Sequence, residues 1–200
     1  MILGLTGTIG CGKSETAKIF KQLGAEIIDA DKISKQLTSK GSPALKELVE
    51  IFGKQILSDD GALNRKVLAQ IIFNDDKQRL KAEQILHPLI IKDIKEKVKA
   101  EQKSAGIVVI DAPLLFETGL DKICDKIVVV VVDKDVWIKR IVKAGKFSVE
   151  EIKKRAASQL SDGLKAKKAD YIIDNSGDKK ELCRKVKTLF ETLTGRTDGN

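Results

Sequence analysis

The chain has 200 residues, 42% of them hydrophobic, with 37 basic against 29 acidic side chains for a net charge of +8. That is enough to bury a core without covalent staples, and it fits one core domain with an inserted subdomain better than two independent domains. The longest apolar run, Ile127 to Val132, is too short to cross a bilayer, and three scattered cysteines with a single histidine argue against a disulfide framework or a zinc site.

In chain order, Ile2-Leu3-Gly4-Leu5 predicts a short apolar strand, and Glu15 to Leu23 a helix with Ile19, Phe20 and Leu23 on one face. Between them stands Gly7-Thr8-Ile9-Gly10-Cys11-Gly12-Lys13-Ser14, which fits the phosphate-binding pattern G-x-x-x-x-G-K-[ST]. Glycines let such a loop wrap with its N–H groups facing one anion, at the positive end of the following helix. Lys13 adds a full charge, and Ser14 offers a hydroxyl to Mg²⁺. Glu26-Ile27-Ile28 predicts a second strand, with Asp29-Ala30-Asp31 at its end and a helix from Lys32 to Thr38. From 31 to 104 there is only helical periodicity: Ala44 to Phe52, a helix marked by Leu68, Ile71 and Ile72, and one opening at Pro88 with Ile90, Ile94 and Val98 on one face.

Gly106 to Ile110, Ile127 to Val132 and Tyr171 to Ile173 predict three further strands. Such β-branched runs with little alternation belong to strands covered on both faces. Strands separated by helices give an α/β class, a parallel sheet of the P-loop NTPase type with helices on both faces. The helix after the fourth strand places Trp137 and Ile141 on its apolar side and Lys139, Arg140 and Lys143 outward. Ser148 and Glu151 form a capping box, Lys153, Lys154 and Arg155 crowd the exposed side of that helix, and the segment 148–168 is expected to be a mobile lid. The tail after Thr194 is polar. The expected division is a core of 1–30 and 105–147 with 169–194, a helical substrate-binding insertion at 31–104, and the lid at 148–168.

Ligands of open parallel sheets bind beyond the carboxyl ends of the strands, where Asp29, Asp31 and Asp111 fall. A carboxylate there can accept a hydroxyl proton or hold Mg²⁺ through water. Asp31 can equally be a helix cap, and Asp111, in Ile110-Asp111-Ala112-Pro113, a turn former. His87, Arg65 and Arg140 each have an ordinary surface or packing reading beside an anion-binding one. Cys11, at a helix N-terminus, is expected to be an oxidisable thiol without a catalytic role. The basic excess suits a protein that handles polyphosphates. One Trp, one Tyr and basic residues interspersed with acids argue against nucleic acid. Unpaired cysteines and the absence of a leader pattern predict a cytoplasmic protein without membrane association.

Taken together, Gly7 through Ser14, Leu23-Gly24-Ala25, Asp29-Ala30-Asp31, Phe52-Gly53, Gly61-Ala62-Leu63-Asn64-Arg65, Ile85-Leu86-His87-Pro88, Asp111-Ala112-Pro113-Leu114-Leu115-Phe116-Glu117, Gln159 with Lys165, and Ala169-Asp170 through Asn175 resemble the dephospho-CoA kinase family from Ile2 to about Leu193. The resemblance implies phosphorylation of the ribose 3′-hydroxyl of dephospho-CoA by ATP, giving CoA and ADP, with Mg²⁺ as cofactor, in a monomer or weak homo-oligomer. It makes Asp31 the candidate base, with Lys13 and Arg140 as the other catalytic residues. It gives ATP to Gly7, Ile9, Gly10, Cys11, Gly12, Lys13, Ser14, Glu15 and Asn175, the last near the adenine. It gives the acceptor to Asp29, Asp31, Arg65, His87, Asp111, Pro113 and Leu114, and Mg²⁺ to Ser14 and Asp111, partly through water.

Four positions depart from the family's usual pattern: Thr8 stands for Gly, Cys11 for Ser, Glu15 for Thr, and Ala144 for a second lid Arg. Thr8 is expected to crowd the loop if a positive φ is required there. Glu15 is expected to repel phosphate unless it turns away or meets a cation. Another small-molecule or nucleoside monophosphate kinase, and a nucleotide-binding regulator without turnover, are the rival readings.

Overall fold

The computed structural model describes residues 1–102, 105–144 and 159–195. The chain divides into two compact units, 1–28 with 97–200, and 29–96. The predicted lid helix opening at Ser148, with Glu151, Lys153, Lys154 and Arg155, lies outside the described residues, as does the tail beyond Gly195.

The first unit is built on a five-stranded sheet in the order β2-β3-β1-β4-β5. The strands are β1 (Ile2–Thr6), β2 (Glu26–Asp29), β3 (Val108–Asp111), β4 (Lys126–Val131) and β5 (Tyr171–Asp174). β1 lies in the middle, parallel to both neighbours, with Leu3 opposite Val109 on one side and Lys126 on the other. β4 pairs in parallel with β5, Val129 opposite Ile172. Because side chains alternate across a strand, Leu3, Leu5, Val109, Val128 and Val130 share one face. There they meet Ala17, Ile19 and Phe20 of α1 (Lys13–Gln22) and Leu182, Val186 and Phe190 of α8 (Lys179–Thr194). The rings of Phe20 and Phe190 pack tilted, with centroids 6.4 Å apart. On the opposite face, Val108, Ile110, Val129 and Leu115 are fully buried. Gly4 allows that approach, since a Cβ there would sit 2.7 Å from Leu115 Cδ2 and 2.9 Å from Cys124 Sγ. The unalternating apolar runs are thus explained: both faces are covered. No helix among the described residues is long and apolar enough to cross a membrane.

The unit 29–96 is helical. α2 (Ala30–Leu37), α3 (Pro43–Phe52) and α4 (Arg65–Asn74) are each capped at the N-terminus by a side chain that accepts a backbone N–H: Asp29 from Lys32, Ser42 from Leu45, and Asn64 from Val67. Leu48, Phe52, Ile56, Leu68 and Ala82 form its buried cluster. α5 (Asp76–Glu101) carries Pro88 in its interior. The sequence reading opened a helix at Pro88, and the structure corrects this. Proline removes one N–H bond and crowds the carbonyl of Gln84, yet Ala82 before it and Ile94 after it are both buried, so packing on each side carries the helix through. α2 likewise begins two residues earlier than expected, because Asp29, not Asp31, is its cap.

In the first unit, α6 (Lys134–Ala144) follows β4, and α7 (Asp162–Lys168), capped by Ser161, precedes β5. These α7 residues fall at the end of the segment expected to form the lid, and Lys165, in the middle of α7, is fully buried.

Candidate active site

β1 delivers the chain into the turn 7–12, and α1 leaves it at Lys13. Lys13 and Ser14 open the helix, where N–H groups have no acceptor one turn earlier; the Lys13 N–H instead meets the Cys11 sulfur. Within the loop, the Cys11 N–H donates to the Thr8 carbonyl at 3.0 Å. Gly12 has φ +98, and a Cβ there would collide with the side-chain amide of Asn175. Two constraints, a left-handed backbone and an occupied space, therefore both require glycine.

The structure joins several of the sequence-predicted residues around this loop. The Lys13 ammonium forms an ion pair with Asp111 at the end of β3, both little exposed. Leu5 of β1 stands opposite Asp111 in the sheet, which explains why that carboxylate meets the loop lysine. Asn175, after β5, donates from Nδ2 to the Cys11 carbonyl at 2.8 Å. Arg140 donates to the carbonyls of Asn175 (2.6 Å) and Gly177 (2.8 Å). The sequence reading turned Arg140 outward with Lys139 and Lys143, and the structure corrects that: its guanidinium is bound to the turn after β5. Beyond Asp111, the Pro113 carbonyl accepts from Thr6 Oγ1 at 3.1 Å and Lys165 Nζ at 2.7 Å, and the Leu114 carbonyl from Thr118 Oγ1 at 2.7 Å.

The departures in the loop are also accounted for. No non-glycine residue has a positive φ among the described residues, so Thr8 is not strained, and its hydroxyl donates to Asp162 of α7. Glu15 meets two cations, Lys179 at 2.7 Å and Lys18 at 3.5 Å, and the hydrogen bond from Lys179 holds its carboxyl below the usual range. Cys11 is the larger correction. It is fully buried, and burial pushes its thiol up to about 11 against the lowering effect of Lys13. It is an inert packing group, not an oxidisable one.

In the unit 29–96, Asp31 is exposed on the first turn of α2. The Asp29 carboxylate accepts the Lys32 N–H at 3.0 Å. Arg65 opens α4, and its guanidinium donates to Thr38 Oγ1 at 2.6 Å and the Lys35 carbonyl at 3.3 Å, tying α4 to the end of α2. Partial burial lowers its pKa from the usual guanidinium value. His87 lies half-buried inside α5. Sequence reasoning missed Trp137 as a site residue: it read the side chain as core, whereas the indole N–H donates to the Ile9 carbonyl at 2.7 Å.

The family model for dephospho-CoA kinase matches residues 1–181. The chain belongs to the dephospho-CoA kinase family. It is 41% identical over 192 residues to a dephospho-CoA kinase of Aquifex aeolicus, covering 96% of this chain and 97% of that protein. Among solved structures it is similar to TT1252 from Thermus thermophilus, with a TM-score of 0.82 at 27% identity and 98% of each chain covered. A dephospho-CoA kinase from Campylobacter jejuni superposes with a TM-score of 0.71 at 30% identity, again over 98% of each chain. As a member of this kinase family, the chain is a phosphotransferase.

Proposed function

We propose that this kinase transfers the γ-phosphoryl group of ATP to the ribose 3′-hydroxyl of dephospho-CoA, releasing CoA and ADP in the last step of coenzyme A biosynthesis, in the cytoplasm. The observation that carries the reading is the Lys13–Asp111 pair at the head of the Gly7–Ser14 loop, in a chain that matches the family over 1–181. Phosphoryl transfer needs positioning and charge stabilisation more than covalent help. Lys13 supplies the cation for the outer phosphates, and the loop residues Gly7, Ile9, Gly10, Cys11, Gly12, Ser14 and Glu15 surround the nucleotide, with Asn175 toward the adenine and Arg140 toward the phosphates. Asp31 orients the acceptor hydroxyl and takes its proton. Asp29, Arg65, His87, Asp111, Pro113 and Leu114 are assigned to the acceptor.

Ser14, exposed on the first turn of α1, and Asp111 offer a hydroxyl and a carboxylate. These are hard oxygen donors of the few-ligand kind that Mg²⁺ accepts beside water and phosphate. When bound, the metal neutralises charge on the phosphate oxygens.

The test is a coupled ADP-release assay with ATP, Mg²⁺ and dephospho-CoA, run beside adenosine and AMP as acceptors. ADP release that depends on dephospho-CoA, with CoA identified by mass, is expected. ATP binding without turnover on any acceptor overturns the reading in favour of a nucleotide-binding regulator.

A further inference from the structure

The phosphate loop is held from outside by two side chains that the loop's own pattern does not specify. Trp137 Nε1 donates to the Ile9 carbonyl at 2.7 Å, and Asn175 Nδ2 to the Cys11 carbonyl at 2.8 Å. Both carbonyls belong to peptide units whose N–H is carried by a glycine, Gly10 or Gly12. A trans peptide is planar, with its C=O and N–H directed oppositely. Drawing the Ile9 carbonyl toward Trp137 therefore turns the Gly10 N–H the other way, and drawing the Cys11 carbonyl toward Asn175 does the same for Gly12.

Such hooks are needed at these positions. Gly10 and Gly12 have φ of +84° and +98°, and glycine peptides reorient at little steric cost. A peptide that turned over would present a carbonyl oxygen to an anion in place of a donor. The indole also lies against the loop, since a Cβ on Gly10 would sit 3.0 Å from Trp137 Nε1. α6 is anchored three residues later by Arg140, which holds the Asn175 and Gly177 carbonyls, so one helix serves both hooks.

We propose that Trp137 is a positioning residue for the phosphate loop: by fixing the Ile9 carbonyl it keeps the Gly10 N–H directed at the nucleotide phosphates. The inference rests on the proposed ATP site, but not on the identity of the acceptor.

Binding of MgATP and of inorganic tripolyphosphate is measured by calorimetry for the wild type, Trp137→Phe and Trp137→Gln. Phenylalanine keeps the aromatic bulk without a donor, and glutamine places an N–H the same number of bonds from Cα as the indole N–H. Trp137→Phe is expected to weaken both ligands about three- to tenfold, the size of one hydrogen bond. Its KM for dephospho-CoA stays unchanged, and Trp137→Gln recovers most of the loss. Trp137 is the only tryptophan, so its indole N–H gives one NMR resonance, which is expected to move when tripolyphosphate is added to the wild type. Wild-type affinity in Trp137→Phe, equal loss in both variants, or an unmoved indole resonance each overturns the proposal. The resonance test holds even if a variant fails to fold. Tripolyphosphate binding without dephospho-CoA turnover overturns the proposed function and leaves this inference standing. No binding by the wild type overturns both.

Discussion

Lys165→Met is the most informative stability test in this fold. Lys165 is fully buried, its ammonium donating to the Pro113 carbonyl at 2.7 Å and standing 3.6 Å from Glu117 Oε1. Methionine keeps the unbranched apolar stem and removes only the charge and its donors. A hydrogen bond from a charged donor contributes about 1.5–3 kcal/mol. The groups left behind are not stranded: Pro113 keeps the Thr6 hydroxyl at 3.1 Å, and Glu117, whose side chain is 20% exposed, keeps the Leu160 N–H at 2.8 Å. The variant also no longer has to desolvate an ammonium group, which offsets part of the loss. The expected net cost is about 1–3 kcal/mol, or a fall in Tm of about 3–10 °C for a chain of this size. Urea unfolding gives the free energy, and the double variant with Glu117→Gln gives the coupling between the two groups.

Burial depresses the Lys165 pKa below the ordinary lysine value of 10.5. Between its folded value and 10.5 the unfolded chain binds more protons at this site, so this residue makes wild-type stability rise with pH through that window. Lys165→Met removes that rise. A variant as stable as the wild type, or one whose alkaline pH profile is unchanged, refutes the assignment of Lys165 as a buried charged tie.

Asp31→Asn is expected to lower kcat about tenfold or more while ATP affinity stays near wild type, read by steady-state kinetics beside calorimetry; an unchanged kcat removes Asp31 from the base role. Lys179→Met leaves Glu15 with only the exposed Lys18 and should raise the KM for ATP about two- to threefold, an effect that Glu15→Gln in the same chain cancels. Burial pushes Cys11 up to about 11 and Cys124 up to about 12, so at pH 8 only about one Cys11 in a thousand is a thiolate. Iodoacetamide on the folded protein should therefore label exposed Cys183 alone, and all three cysteines in urea. Peptide mass mapping that finds rapid modification of folded Cys11 contradicts the burial argument.

The sheet was legible because its signal is local. Runs such as Ile127 to Val132 announce double burial, and the glycines and lysine of the phosphate loop sit at fixed offsets beside a strand and a helix. The residues that brace the loop were not legible. Trp137 is 128 positions from Ile9, and Asn175 is 164 from Cys11, so no window of sequence contains either pair. Arg140 has the composition of a surface residue, and only the turn after β5 shows that its guanidinium has two carbonyl acceptors. Cys11 was misjudged for the same reason: its helix terminus can be read from sequence, but the burial that outweighs it cannot. Pro88 misled in the opposite way, because a strong local breaker is overridden by packing on either side of it.

The central position of β1 sets the order in which the protein can be completed as it is made. Its two partners begin at Val108 and Lys126, so β1 leaves the ribosome about a hundred residues ahead of either neighbour. At a synthesis rate of roughly 5–20 residues per second, the apolar segment Ile2–Thr6 waits several seconds for β3 and β4. The helical unit 29–96 is contiguous, and all of its residues are made within that interval. The sheet must then gather a strand that has been without either neighbour throughout that interval. Errors in assembling this sheet therefore fall most heavily on β1, the strand that leads into the phosphate loop.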